Sequence, residues 1–197
     1  MSLNQSSGLP EHRYLLKFLL MSAVFLFIGT VHGVIQVQPP VRAWLESVGT
    51  PHSGPGHMID PLAHAHMNIV GGVILFIMAG TYYLFPTISG QPLYSRRLVE
   101  HTFWWTCIGQ SSFYLTLMTF GIIEGNILLT NPDALPEVHR YYKPIIGTAA
   151  TIMGIGFWVY FANIFLTAKR VFKNKGVSVT VIEARGRGKE AELTRSK

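Results

Sequence analysis

Residues 62–85 read LAHAHMNIVGGVILFIMAGTYYLF, 24 residues without one Asp, Glu, Lys or Arg. The hydrocarbon core of a bilayer is ~30 Å thick, and a helix rising ~1.5 Å per residue needs about 20 mostly apolar residues to cross it. This stretch meets that length and stops at Pro86. Two histidines near its start break an otherwise apolar run. The fold follows from counting such runs, and the function from asking what the imidazoles are for.

Three further stretches qualify. The first span is expected over about Leu15 to Val37, with Lys17 near its start and able to snorkel. The third covers about Thr102 to Ile123. The fourth covers about Tyr142 to Ala168, opened by Pro144 and closed by Lys169 and Arg170. The expected fold is therefore all-α, an integral membrane bundle of four transmembrane helices. It divides into an N-terminal segment 1–14, a transmembrane domain 15–168 and a basic tail 169–197. Composition agrees: 49% of the chain is hydrophobic and 13% charged, about half the charge density of a soluble domain. The first apolar run lasts too long for a signal-peptide core and lacks a small-residue cleavage site, so it reads as a retained helix. Residues 38–61, rich in proline and glycine, read as an irregular loop or one with a short surface helix. Residues 86–101 and 124–141 read as the other connections. The polar tail carries one β-prone run, Val177 to Ile182.

Charge gives a direction. The net charge is +6, but its distribution points to a membrane and not to nucleic acid. With the N-terminus, the connection 86–101 and the tail on the cytoplasmic side, thirteen of the sixteen Lys and Arg lie inside. Only Arg42, Arg140 and Lys143 lie outside. That excess of positive charge predicts an N-in, C-in topology. The expected location is the inner (cytoplasmic) membrane of a prokaryote. Gly71, Gly72, Gly80, Gly147, Gly154 and Gly156 are expected where helices approach closely. Cys107, the single cysteine, lies in an apolar run and reads as packing.

Topology brings three of the eight histidines together. His32 lies in the last turns of the first span, and His64 and His66 in the first turns of the second, so all three share one depth near the outer face. A histidine within a membrane is costly unless paired or used. Two residues along a helix turn the side chain by roughly 200°, so His64 and His66 reach toward opposite sides and do not chelate one ion together. Three readings fit. A haem takes axial imidazoles from facing helices, with Asn68-Ile-Val-Gly-Gly72 as a surface for its ring. Polar helix ends satisfied by water or carbonyls are the second. A zinc or copper site helped by His52 and His57 is the third. His101 reads as a helix-end group, Glu124 as a solvated residue or else a proton relay or quinol sensor, His139 as a polar loop residue, and Met58 and Met67 as packing before ligands of haem or copper. Phe103-Trp104-Trp105 reads as lipid-facing or packing surface.

The run from Leu62 to Gly90, with its His-Ala-His, aromatic end, Pro86 and Ser-Gly turn, resembles the tenth helix of the haem–copper oxidase subunit I family. Leu98 to Gly125, ending Thr-Phe-Gly-Ile-Ile-Glu-Gly, is similar to the eleventh. Asn131-Pro-Asp-Ala and the span after it resemble the acidic loop and twelfth helix. The resemblance covers Leu62 to Lys169. It implies that His64 holds a high-spin haem and His66 is an axial ligand of a low-spin haem. The family's copper ligands and the low-spin haem's other ligand come from helices with no counterpart here, leaving Gly29-Thr-Val-His-Gly33 to stand in for the latter. The resemblance thus implies a non-catalytic electron-transfer subunit of a respiratory or related complex. It would carry one bis-histidine haem b clamped by His32 and either His66 or His64, or two haems with one completed by another subunit. Its partners would be the lipid bilayer, other subunits of a membrane complex, and a cytochrome c or quinol. A haem-free structural or assembly subunit, and the C-terminal piece of a split terminal oxidase, are the alternatives.

Overall fold

The computed structural model describes residues 12–195, with side chains described through residue 173. The first eleven residues of segment 1–14 and the last two of the tail lie outside the described residues. All regular structure among the described residues is helical. Among the described residues, four helices are long and apolar enough to cross a membrane: Arg13–Gln36, Gly54–Ser89, Arg96–Thr130 and Pro132–Lys173. We label the helices α1 (Leu16–Gln36), α2 (Pro39–Ser47), α3 (Gly54–Ser89), α4 (Arg96–Thr130) and α5 (Leu135–Arg195). The short helix anticipated within 38–61 is α2. It starts with proline in its first turn, where the missing N–H costs nothing.

The helices outrun their apolar cores. α3 begins before Leu62 and passes through Pro86 to Ser89, ending at Gly90 with φ 65°; glycine takes that left-handed backbone without Cβ strain. Its start is not smooth. Asp60 adopts a strand-like φ of −127° and ψ of 112°, and π-type turns over Met58–Ala63 and Met67–Ile74 flank the short α-helical turn His64–His66. Such wide turns re-aim side chains and recur at functional sites. At this bend Arg42 of α2 pairs with Asp60 at 2.9 Å and with Glu46 at 2.7 Å. The hydrogen bond to Glu46, and the charges of both carboxylates, hold its guanidinium pKa above the ordinary value.

The connection expected over 124–141 almost vanishes. α4 continues to Thr130, a single extended residue, Asn131 (φ −151°, ψ 74°), breaks the path, and one 3₁₀ turn, Pro132–Ala134, leads into α5. Proline excludes the helical conformation from the residue before it, which places the break at Asn131. At the other end, α5 continues through the β-prone run Val177 to Ile182. β-propensity depends on a partner strand, whereas each residue added to an existing helix gains a hydrogen bond without a new nucleus.

The core lies between α1, α3, α4 and α5. Phe18, Phe25, Leu75, Met78, Tyr82 and Phe103 are all buried in it. Cys107 and Met67 are buried there too, as expected of packing residues, while Met58 is buried in a second cluster with Ala63 and Leu117. Trp104, by contrast, is 57% exposed. Close contacts fix α1 on α3. The Ser22 hydroxyl donates to the Gly72 carbonyl at 2.8 Å, and Gly71 and Gly72 lie directly against Phe25 and Leu26. Of the other expected contact glycines, Gly156 meets Thr106, but Gly80, Gly147 and Gly154 face open space. Their faces have no helix opposite, which apolar sequence alone did not distinguish. Buried Asn163 and Thr167 anchor the α3–α4 connection to α5. Asn163 accepts from Ser95 N at 3.1 Å and donates to Ser95 O at 3.0 Å, and Thr167 accepts from Tyr94 N at 2.9 Å.

Candidate functional site

The last turns of α1 meet the first membrane-depth turns of α3, and the imidazoles meet with them. His32 and His64 lie ring to ring, centres 5.4 Å apart and planes at 87°. Gly33 makes room: a Cβ there would approach His64 Cε1 to 2.8 Å. Next to it, Gly29 lies against Asn68, whose side-chain N–H₂ donates to the His64 carbonyl at 3.0 Å. The small residues of α1 are thus a socket for the polar edge of α3.

His32 is buried, 6% exposed. Its Nδ1 lies 3.3 Å from the Tyr114 hydroxyl of α4, and its Nε2 is buried with no hydrogen-bond partner. An unmatched polar nitrogen in an apolar bundle costs roughly 1–3 kcal/mol. Apolar grooves flank the ring. One, of about 220 Å³, is lined by Phe27, Val31 and Tyr114; the other, of about 170 Å³, by Gln36, Trp44 and Ile59. Gln36 Oε1, one turn along, is also buried and unpartnered.

His66 points elsewhere, as its spacing from His64 requires. Its ring packs on Phe113 of α4, centres 4.6 Å apart. Its Nδ1–H donates to the Leu62 carbonyl at 2.9 Å. That bond places a proton on Nδ1 and leaves Nε2 as the outward ring nitrogen, the arrangement by which backbone carbonyls orient ligating histidines.

This donor set fits haem iron. The unmatched Nε2 and the grooves on both sides of His32 suit an apolar macrocycle. His52 and His57 do not join the cluster. His57 Nδ1 lies 2.5 Å from the Pro51 carbonyl, and among the described residues no three His, Cys, Asp or Glu side chains gather around a metal-sized point.

A second polar pair corrects the sequence reading. Glu124, expected to be solvated, is 2% exposed, and His139 Nδ1 lies 3.0 Å from its carboxylate. The two line a cavity of about 460 Å³ with Pro55, Met58 and Leu135. Glu100, beside the exposed His101, is paired with Lys17. Tyr114, Phe113 and Gln36 also went unseen in the sequence, and Asn68 was read as ring surface rather than as a partner of His64. The hydroxyl–imidazole contact spans 82 positions and has no local signature.

Fold and site together define a membrane-spanning helical bundle with an imidazole cluster at one end. The family model for cytochrome c and quinol oxidase polypeptide I matches residues 3–153. The chain belongs to that family. It is 24% identical over 95 residues to cytochrome c oxidase polypeptide 1 of Halobacterium salinarum, a match over 48% of this chain. It covers 14% of that relative's length. The family usually binds haem.

Proposed function

We propose that this chain is a haem-carrying electron-transfer subunit of a respiratory or related oxidoreductase complex. It lies in the cytoplasmic membrane of a prokaryote with both termini inside, and its histidine cluster faces the outer side. His32 and His64 hold a haem b. The carrying observation is the buried, unpartnered Nε2 of His32 beside the His64 ring.

Each part of the surroundings has a task in this reading. Tyr114 engages His32 Nδ1 and sets the ring's orientation. Gly33 and Asn68 seat His64. The apolar grooves exclude water. His32 and His64 would hold the haem, which would supply a one-electron store there, so the chain would pass electrons. Exchange at the outer face is with a cytochrome c or a quinol. His66 supports an extension to two haems: its Nε2 is freed by the Leu62 bond and faces away from His32, toward a ligand supplied by another subunit.

The test is a reduced-minus-oxidised optical spectrum of the full chain purified with its complex. Bands of b type that disappear in His32→Ala and in His64→Ala are expected. Survival of the spectrum in His66→Ala indicates one haem, and loss of one component indicates two. Absence of a Soret band at full protein recovery refutes the haem assignment.

A further inference from the structure

The end of the bundle that carries the histidine cluster also holds the cavity walled by Glu124 and His139, which haem binding does not use. Its volume is about 460 Å³, and Pro55, Met58, Leu135 and Pro136 form most of the remaining wall. The start of α3, the end of α4 and the start of α5 meet around it, at the depth where a bilayer gives way to water.

The polar pair is built for more than packing. Glu124 is 2% exposed, and His139 Nδ1 lies 3.2 and 3.0 Å from its two carboxylate oxygens. A carboxylate has about four lone-pair sites, so one N–H shared between the oxygens leaves acceptor capacity on a group that lines the cavity. An ionisable pair at the end of membrane-spanning helices is expensive and marks function. A pair that only stapled α4 to α5 would need no cavity beside it.

The wall limits what enters. A hydrated ion gains nothing from two prolines, a leucine and a methionine, and among the described residues no third metal-binding side chain joins the pair. An acyl chain matches the apolar wall but brings the carboxylate no donor. A flat ring bearing a hydroxyl satisfies both, since prolines and a thioether suit its faces and Glu124 accepts from its O–H. Sites for small organic ligands have this size and this mixture of an apolar wall with few polar groups. Position narrows the choice of ring. Met58 shares a packed cluster with Leu117 and Met118, and Met118 lines both grooves beside His32, so packed side chains join the cavity to the imidazoles. We propose that the cavity binds the head ring of a membrane quinol, one ring hydroxyl donating to the Glu124 carboxylate and His139 holding that carboxylate in place. The choice of a quinol among hydroxylated rings rests on the electron-transfer reading; the ring site itself does not.

The full chain, purified with its complex in detergent and freed of quinone, is titrated with the quinol analogue 2-heptyl-4-hydroxyquinoline N-oxide. Bound probe is measured by equilibrium dialysis against detergent alone. Saturable binding that decylubiquinol displaces and decanol does not is expected. Glu124→Gln keeps the shape but replaces a charged acceptor with a neutral one, and should weaken binding about tenfold, the effect of one hydrogen bond to a charged group. Leu135→Trp fills the cavity from its rim, should abolish binding, and decides the matter if Glu124→Gln does not fold. Glu137→Gln, at a side chain 75% exposed on the same turn, should leave binding unchanged. Absence of saturable binding, unaltered binding in both cavity variants, equal loss in Glu137→Gln, or displacement by decanol would each overturn the proposal. The Soret band of the same samples keeps the two readings apart: probe binding that persists in His32→Ala, or in a chain without haem, upholds the ring site even where the haem assignment fails.

Discussion

At the scale of single residues, Gly33 separates a structural role from a positioning one. Alanine there brings a Cβ to 2.8 Å from His64 Cε1, and the ring must shift by a few tenths of an ångström. Tight packing of this kind costs about 1–3 kcal/mol, while replacing glycine inside a helix returns about 1 kcal/mol. Stability therefore changes little, and the imidazole moves. Gly33→Ala is expected to keep its melting temperature within a few degrees of the parent while shifting the haem absorption bands or lowering haem content. An unaltered spectrum would show that His64 is not a ligand. The same scale shows what sequence can and cannot convey. The opposite aims of His64 and His66 were legible, because 100° per residue is a property of any α-helix. The partners Tyr114 and Phe113 were not, because they arrive from another helix at a register no local pattern encodes.

Among elements, the contact of α4 with α5 is fixed by backbone. A Cβ on Gly109 would lie 2.3 Å from Met153 N and 2.4 Å from its Cα, and no rotamer change relieves a clash with main chain. Here the returned helix propensity of about 1 kcal/mol is outweighed, since the two helices must separate along their shared face. Gly109→Ala should lower the melting temperature in detergent clearly below that of Gly33→Ala, and an equal or higher value would show that this face is loosely packed. The existence of both helices was legible from length and apolarity; their extent was not. Apolar runs report the part of a helix in lipid, but α4 extends beyond that part to 35 residues. That shortfall explains the misreading of Glu124. Had residues 124–141 been read as two helix ends around Asn131, His139 would have fallen opposite Glu124 across a tight turn. Read as an open loop, the pair looked solvated.

For the whole molecule, the strongest remaining claim is its direction in the membrane, which rests on charge placement and not on packing. The basic end carries Arg13, Lys17, Arg96, Arg97 and the turn after Lys169, and the histidine end carries Glu46, Asp60, Glu124, Asp133 and Glu137. Lys and Arg near span ends are retained on the cytoplasmic side, so the proposed topology has the histidine cluster on the outer side, open to the proposed donor. The chain is well suited to a direct measurement, because its single thiol, Cys107, is buried at 6% exposure and contributes little background. Asn131→Cys, in the turn between α4 and α5, should react with a membrane-impermeant maleimide added to intact cells. Gln91→Cys, in the connection between α3 and α4, should react only after permeabilisation. The reverse pattern would place the imidazoles on the cytoplasmic side and overturn the proposed outer-face electron exchange, while leaving the four-helix bundle untouched.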